Sequence, residues 1–134
     1  MKTLTHTLSA LAMAIAAGTA LAQTPAPVLN RAAFDALLAH PEKVLVIDVR
    51  RPDEVATKGG FPAYLSIQLR ELDQYAGIIP RDRQLITVSN HAGRAVKAAA
   101  QLAAKGYTVA GAIGVEGYEA EGGTLVRSAP VAAH

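Results

Sequence analysis

Six consecutive residues, Ser89-Asn90-His91-Ala92-Gly93-Arg94, place a hydroxyl, an amide, an imidazole and a guanidinium close together. They follow the apolar run Leu85-Ile86-Thr87-Val88 and precede an Ala-rich stretch, so they read as a loop between a strand and a helix. Backbone N–H groups at a helix start can converge on an anion. Asn90, His91, Ala92 and Gly93 would supply those donors and Arg94 a full charge, a set suited to sulfate, thiosulfate or phosphate. Gly93 is expected to permit the tight turn. A cation at a helix N-terminus opposes the helix dipole. Arg94 therefore calls for a negative partner, either a carboxylate such as Asp48 or a bound anion. Asp48-Val49-Arg50-Arg51, after the apolar Val44-Leu45-Val46-Ile47, is the second charged segment at a strand end. Asp48 and Arg50 are the supporting residues of the site, with Asp48 read as the partner of a nearby Arg. An ordinary βα loop with Asn and Gly as turn residues, and an Arg facing water, fits the same spacing.

Ser89 with His91 could in principle be a nucleophile and its base. Serine catalysis needs the base within hydrogen-bond reach and a third group to orient it. Neighbouring residues of one loop diverge, and no Gly-x-Ser-x-Gly elbow surrounds Ser89. His40, before Pro41, and His134 make no ligand spacing with His91, so no metal and no cofactor are expected. The chain has no cysteine, which removes disulfides, persulfides and thiolate chemistry.

The elements that must position these loops follow from the apolar pattern. Asn30 can cap a helix over residues 31–39 with Ala33, Phe34, Leu37 and Leu38 as its stripe. Residues 44–47 and 85–88 are continuous apolar runs, as in strands buried on both faces. Pro52 can open a short helix to Thr57. A turn at Gly59-Gly60-Phe61-Pro62, a strand over 64–67 and a helix over 69–75 follow. The clearest helix runs from Arg94 to Lys105. Arg94, Lys97, Gln101 and Lys105 form its polar stripe, and Val96, Ala99, Leu102 and Ala103 can be buried. A strand over 108–113 and a helix over 114–121 complete an α/β pattern with a parallel sheet covered on both faces. Glu116, Glu119 and Glu121 read as a solvated helix face.

The chain has 134 residues, 51% hydrophobic and 18% charged, which is one globular domain rather than a disordered or polybasic segment. With 4% aromatic residues and no Trp, stacking on single-stranded nucleic acid is poorly supplied, and no nucleic-acid partner is expected. Lys2, the uncharged apolar stretch that follows and Ala20-Leu21-Ala22 form a secretory signal pattern, with cleavage expected between Ala22 and Gln23. Residues 1–22 are thus read as a signal peptide, 23–29 as a linker, 30–127 as the domain and 128–134 as a flexible tail. Cleavage would leave 12 basic and 11 acidic side chains. The mature protein is expected in the periplasm or secreted, off the membrane.

Over residues 30–127 the sequence resembles the rhodanese-like domains. Val46-Ile47-Asp48-Val49-Arg50 is similar to the family's opening strand and Asp-Val-Arg signature, and Pro52-Asp53-Glu54 to the acidic run after it. Gly59-Gly60-Phe61-Pro62-Ala63 stands where the family has Gly-His-Ile-Pro-Gly. Leu69-Arg70-Glu71-Leu72 resembles the next helix. Ile113-Gly114-Val115-Glu116-Gly117-Tyr118 resembles the terminal segment, with Tyr118 in place of a Trp. Residues 89–94 fall on the active-site loop, Cys-x-x-Gly-x-Arg in the family. The resemblance implies a three-layer fold, a central parallel sheet with helices on both faces. It also implies that Ser89 occupies the catalytic cysteine's position, with Ala92 and Gly93 departing from the loop pattern. The expected function is a non-catalytic module that binds an oxyanion or a periplasmic protein. The alternative is an enzyme of altered chemistry, sulfurtransferase-related or a Ser89-dependent hydrolase.

Overall fold

The computed structural model describes residues 24–127. The expected signal peptide and the C-terminal tail lie outside the described residues. Asn30 caps α1 (Arg31–Leu38), its side-chain oxygen accepting from Ala33 N–H at 2.8 Å. β1 (Val44–Asp48), β2 (Leu65–Ser66), β3 (Gln84–Ser89) and β4 (Val109–Gly114) form one parallel sheet in the order β2-β1-β3-β4. The connections carry α2 (Pro52–Lys58), α3 (Leu72–Tyr75) between two 3₁₀ turns, and α4 (Ala92–Ala104); α5 (Val115–Ala120) follows β4.

Alternation along β1 and β3 divides the core into two layers. Ile47 and Leu85 pack with Leu72 of α3 and with Ala98 and Leu102 of α4. Val46, Ile86, Val88 and Ile113 pack on the other face with Phe34 of α1, Phe61 and Val115 of α5. Tyr118 joins Phe34 and Phe61 in an edge-on aromatic cluster, with ring centroids 5.5 and 5.2 Å away, and its hydroxyl donates to Asp35 at 2.9 Å. The sheet with helices on both faces is the architecture expected from the sequence.

Some boundaries move for physical reasons. α4 begins at Ala92, two residues before the expected start, and Gly93 is helical with open space where a Cβ would sit. Gly93 therefore serves no tight turn. Among the described residues, Gly59, Gly106 and Gly122 have positive φ, and Gly106 ends α4. The buried line of α4 is Ala95, Ala98, Ala99 and Leu102; Val96 and Ala103 are half-buried. Ala33, placed on the stripe of α1, is exposed. Residues 27–29, expected as linker, are extended and bond to the outer edge of β4: Leu29 N–H to the Ala112 carbonyl at 2.8 Å and Ala112 N–H to the Pro27 carbonyl at 2.9 Å. Gly111 makes this approach possible, since a Cβ there would lie 2.5 Å from Leu29 Cγ.

Candidate functional site

The carboxyl ends of β1, β3 and β4 bring Asp48, Ser89 and Gly114 to one end of the sheet, where ligands of open parallel sheets bind. The β3–α4 loop is only Asn90 and His91. It lies directly on Gly114, where a Cβ would sit 2.9 Å from the Asn90 carbonyl oxygen. That same carbonyl accepts from Glu116 N–H at 3.1 Å, which fixes the loop to the start of α5.

Beneath the loop lies a chain of alternating charge. Arg50 is fully buried and grips Asp48, itself 1% exposed, through Nη2–Oδ2 at 2.7 Å and Nε–Oδ1 at 3.0 Å. Arg50 Nη1 donates to Asn90 Oδ1 at 3.1 Å. Asn90 Nδ2 donates to Glu54 Oε1 at 2.9 Å. Glu54 then takes Arg94 in a bidentate pair, at 2.7 and 2.9 Å. Buried charges persist where they are paired and hydrogen-bonded, as Asp48 and Arg50 are.

The negative partner that Arg94 requires is therefore Glu54, not Asp48, whose carboxylate belongs to Arg50. Arg94's hydrogen bonds, followed by the backbone N–H of Arg51, hold the Glu54 carboxyl well below its ordinary range, at about 2. In turn Glu54 raises the Arg94 guanidinium above its usual value. Arg51, adjacent to Arg50, turns outward to Asp53 at 3.0 Å.

Ser89 is fully buried. Its hydroxyl donates to the His91 carbonyl and accepts from Ala95 N–H at 2.9 Å. Both roles of the hydroxyl are thus spent on closing the first turn of α4. The ring of His91 is 84% exposed and meets Glu116 Oε2 at 3.0 Å. It makes no hydrogen bond to Ser89, so the two side chains form no nucleophile–base couple. Glu116 also pairs with Lys58, whose hydrogen bond lowers the Glu116 carboxyl below its usual value. The N–H groups of Ala92, Gly93 and Arg94 meet no loop or side-chain acceptor among the described residues.

Two readings of the sequence change here. The acidic cluster of α5 is not merely solvated. Glu116 pairs with Lys58 and His91, Glu119 lies 3.5 Å from Arg127, and Glu121 accepts from Arg31 N–H at 2.8 Å, at the start of α1. Glu54 was matched only as part of an acidic run, yet it is the pivot of the site. The available signal was its place three residues after the N-cap Arg51, where a Glu reaches back to the cap N–H, here at 3.0 Å.

The arrangement is similar to several solved structures. A rhodanese-related protein from Thermoplasma volcanium superposes with a TM-score of 0.66 at 24% identity, over 76% of this chain and 99% of that one. A rhodanese-like domain protein from Staphylococcus aureus gives 0.60 at 21% identity, over 77% and 99%. The chain has the rhodanese-like fold. Reduced Bacillus anthracis CoADR-RHD gives 0.62 at 25% identity over 69% of this chain and 16% of that one, so there the rhodanese-like fold is a part of a larger chain. No protein-family model and no curated protein matches the sequence. The chain itself contains no cysteine.

Proposed function

We propose that this chain is an exported rhodanese-homology domain that has lost sulfur-transfer chemistry and works as a binding module. The observation that carries the reading is the state of Ser89. It stands where the resemblance places the catalytic cysteine, it is fully buried, and its hydroxyl is hydrogen-bonded as donor and as acceptor within the loop. A hydroxyl is a weak nucleophile without an adjacent base, and none is hydrogen-bonded to Ser89. A Ser89-dependent hydrolase would need His91 on Ser89, but its ring is engaged by Glu116. The loop retains free N–H groups at Ala92, Gly93 and Arg94, which favours weak binding of sulfate, thiosulfate or phosphate. Glu54 neutralises Arg94 and limits that affinity.

The test is turnover by purified mature protein of thiosulfate with cyanide, and of model phosphoesters and esters, in wild type and Ser89→Ala. Neither protein should turn over any of them. Wild-type turnover that Ser89→Ala abolishes would establish the enzymatic alternative. Export is checked by intact mass of periplasmic protein, expected to begin at Gln23.

A further inference from the structure

The two edges of the sheet are treated differently. Residues 27–29 cover part of the outer edge of β4. On the opposite side β2 begins at Leu65, opposite Ile47, so it leaves Val44 and Leu45 without a strand neighbour and takes only the carbonyl of Val46 into the ladder. Alternation fixes which main-chain groups face that opening. The Asp48 carbonyl accepts from Ile67 N–H at 3.0 Å and so faces β2. Lys43 and Val49 face β3, Lys43 through its carbonyl to Gln84 N–H at 2.9 Å and Val49 through its N–H to the Val88 carbonyl at 3.0 Å. Val44 and Val46 are in phase with Asp48. Their N–H groups point to the β2 side and meet no acceptor among the described residues.

A groove of about 510 Å³ runs along this stretch. Val44 and Val46 form its floor, Leu38 one wall, and Ile78 and Tyr64 the other parts of its rim. Ile78 is 65% and Tyr64 40% exposed, large apolar groups left in water. Arg83 also lines the groove. Arg31, Arg50, Arg51, Arg70, Arg94 and Arg127 each lie in an ion pair, and Arg81 stacks on Tyr107 at 4.2 Å. Arg83 has no such partner among the described residues.

We propose that this edge takes an extended segment of a partner protein, added as a strand in line with β2, apolar at alternate residues and bearing a carboxylate for Arg83. Main-chain donors at strand spacing require carbonyl acceptors at the same spacing, which a peptide supplies. Apolar walls on both sides of the edge suit side chains that alternate between faces. A small amphiphilic carboxylate would satisfy the walls and Arg83 but leave the Val44 and Val46 N–H groups unpaired. The inference deepens the reading as a binding module. Its failure would leave the loss of chemistry at Ser89 untouched, because the groove and the loop are tested by separate variants.

The chain has no Trp, so a peptide of alternating valine and threonine with one tryptophan and a free C-terminal carboxylate is a clean fluorescent probe. Titration with mature protein should saturate below about 1 mM and shift the Val44 and Val46 amides in NMR spectra. Amidating the peptide C-terminus should weaken binding roughly fivefold, and Arg83→Gln should erase that difference. Ile78→Asp should weaken the acid peptide by roughly tenfold or more; the position is exposed, and circular dichroism checks the fold. Absence of saturation, or binding indifferent to both variants, would overturn the proposal. Decanoate saturating the groove in place of the peptide would reassign it to a small amphiphile. Concentration-dependent dimers showing the same amide shifts without peptide would reassign it to a second copy of this chain.

Discussion

Glu54 and Arg94 lie forty positions apart in sequence and meet in a two-point hydrogen-bonded pair at 2.7 and 2.9 Å, directly beside the β3–α4 loop. Arg94 is the full positive charge of that loop, and its own chain supplies the carboxylate that answers it. The loop is thereby electrically satisfied from within.

Removing the Glu54 charge should therefore open the loop to outside anions. Wild-type protein titrated with sulfate at constant ionic strength should respond only in a range on the order of millimolar, read at the amides of residues 90–94. Glu54→Gln should tighten this response roughly tenfold, since an Arg freed of its carboxylate binds oxyanions well. Arg94→Ala should abolish the gain. Unchanged amides in Glu54→Gln at saturating sulfate would show that the loop holds no anion.

Acid should release the same pair. Glu54 titrates at about 2 in the folded chain against an ordinary 4.5. Its stabilisation is complete above 4.5 and is lost as pH falls from there through 2. With Arg94 35% exposed, the loss should amount to about 1–2 kcal/mol after solvent screening. Urea melts between pH 5 and 2 (about the span of this titration) should converge for wild type and Glu54→Gln. A constant gap between the two curves would refute the assignment.

Asp48→Asn should be among the most damaging single changes in the domain. It leaves the fully buried Arg50 without its counter-charge. Breaking one side of such a pair costs about 3–5 kcal/mol, readable as a lower Tm and urea midpoint. Arg51→Ala, on an exposed pair next door, should leave the melt unchanged. Equal effects from the two would mean that burial is not what gives the Asp48–Arg50 pair its weight.

Ser89→Cys should create a thiol of lowered pKa, held by Ala95 N–H at the start of α4. Because position 89 is fully buried, a thiol reagent should react more slowly with folded protein than with protein in urea. Thiosulfate turnover should stay absent, since Glu54 still occupies Arg94. Robust turnover in this variant would show that the loop needs only its sulfur.

The strands at the centre of the sheet were legible because both faces of β1 and β3 are covered, which writes itself as Val44-Leu45-Val46-Ile47 and Leu85-Ile86-Thr87-Val88. The strand expected over 64–67 is two residues, Leu65–Ser66, because only Ile47 and Asp48 of β1 have partners there. The loop could be read because its polar residues are contiguous. The carboxylate of Arg94 could not, since Glu54 reaches it only after β1, α2 and β3 have packed; the capping position that sets Glu54 apart from Asp53 points to the Arg51 N–H and not to Arg94. The same holds for Glu121, whose partner at the start of α1 lies ninety positions away. Gly111 lies inside the expected strand over 108–113, and its role, to admit Leu29, depends on packing that no local pattern records.

The unequal edges of the sheet also bear on how the chain would assemble with itself. An open-ended fibre needs two edges on each molecule, one to receive and one to offer. Here the β4 side is occupied by residues 27–29, whose Pro27 carbonyl and Leu29 N–H both turn toward β4 and leave only the main-chain groups of Val28 facing outward. The β1 side is left as the growing edge. Copies meeting there could close only as a two-fold pair, with each partner's growth edge consumed by the other. Residues 27–29 thus stand between the β4 edge and any second molecule, so a truncation that removes them should expose that edge and favour assembly at higher concentration.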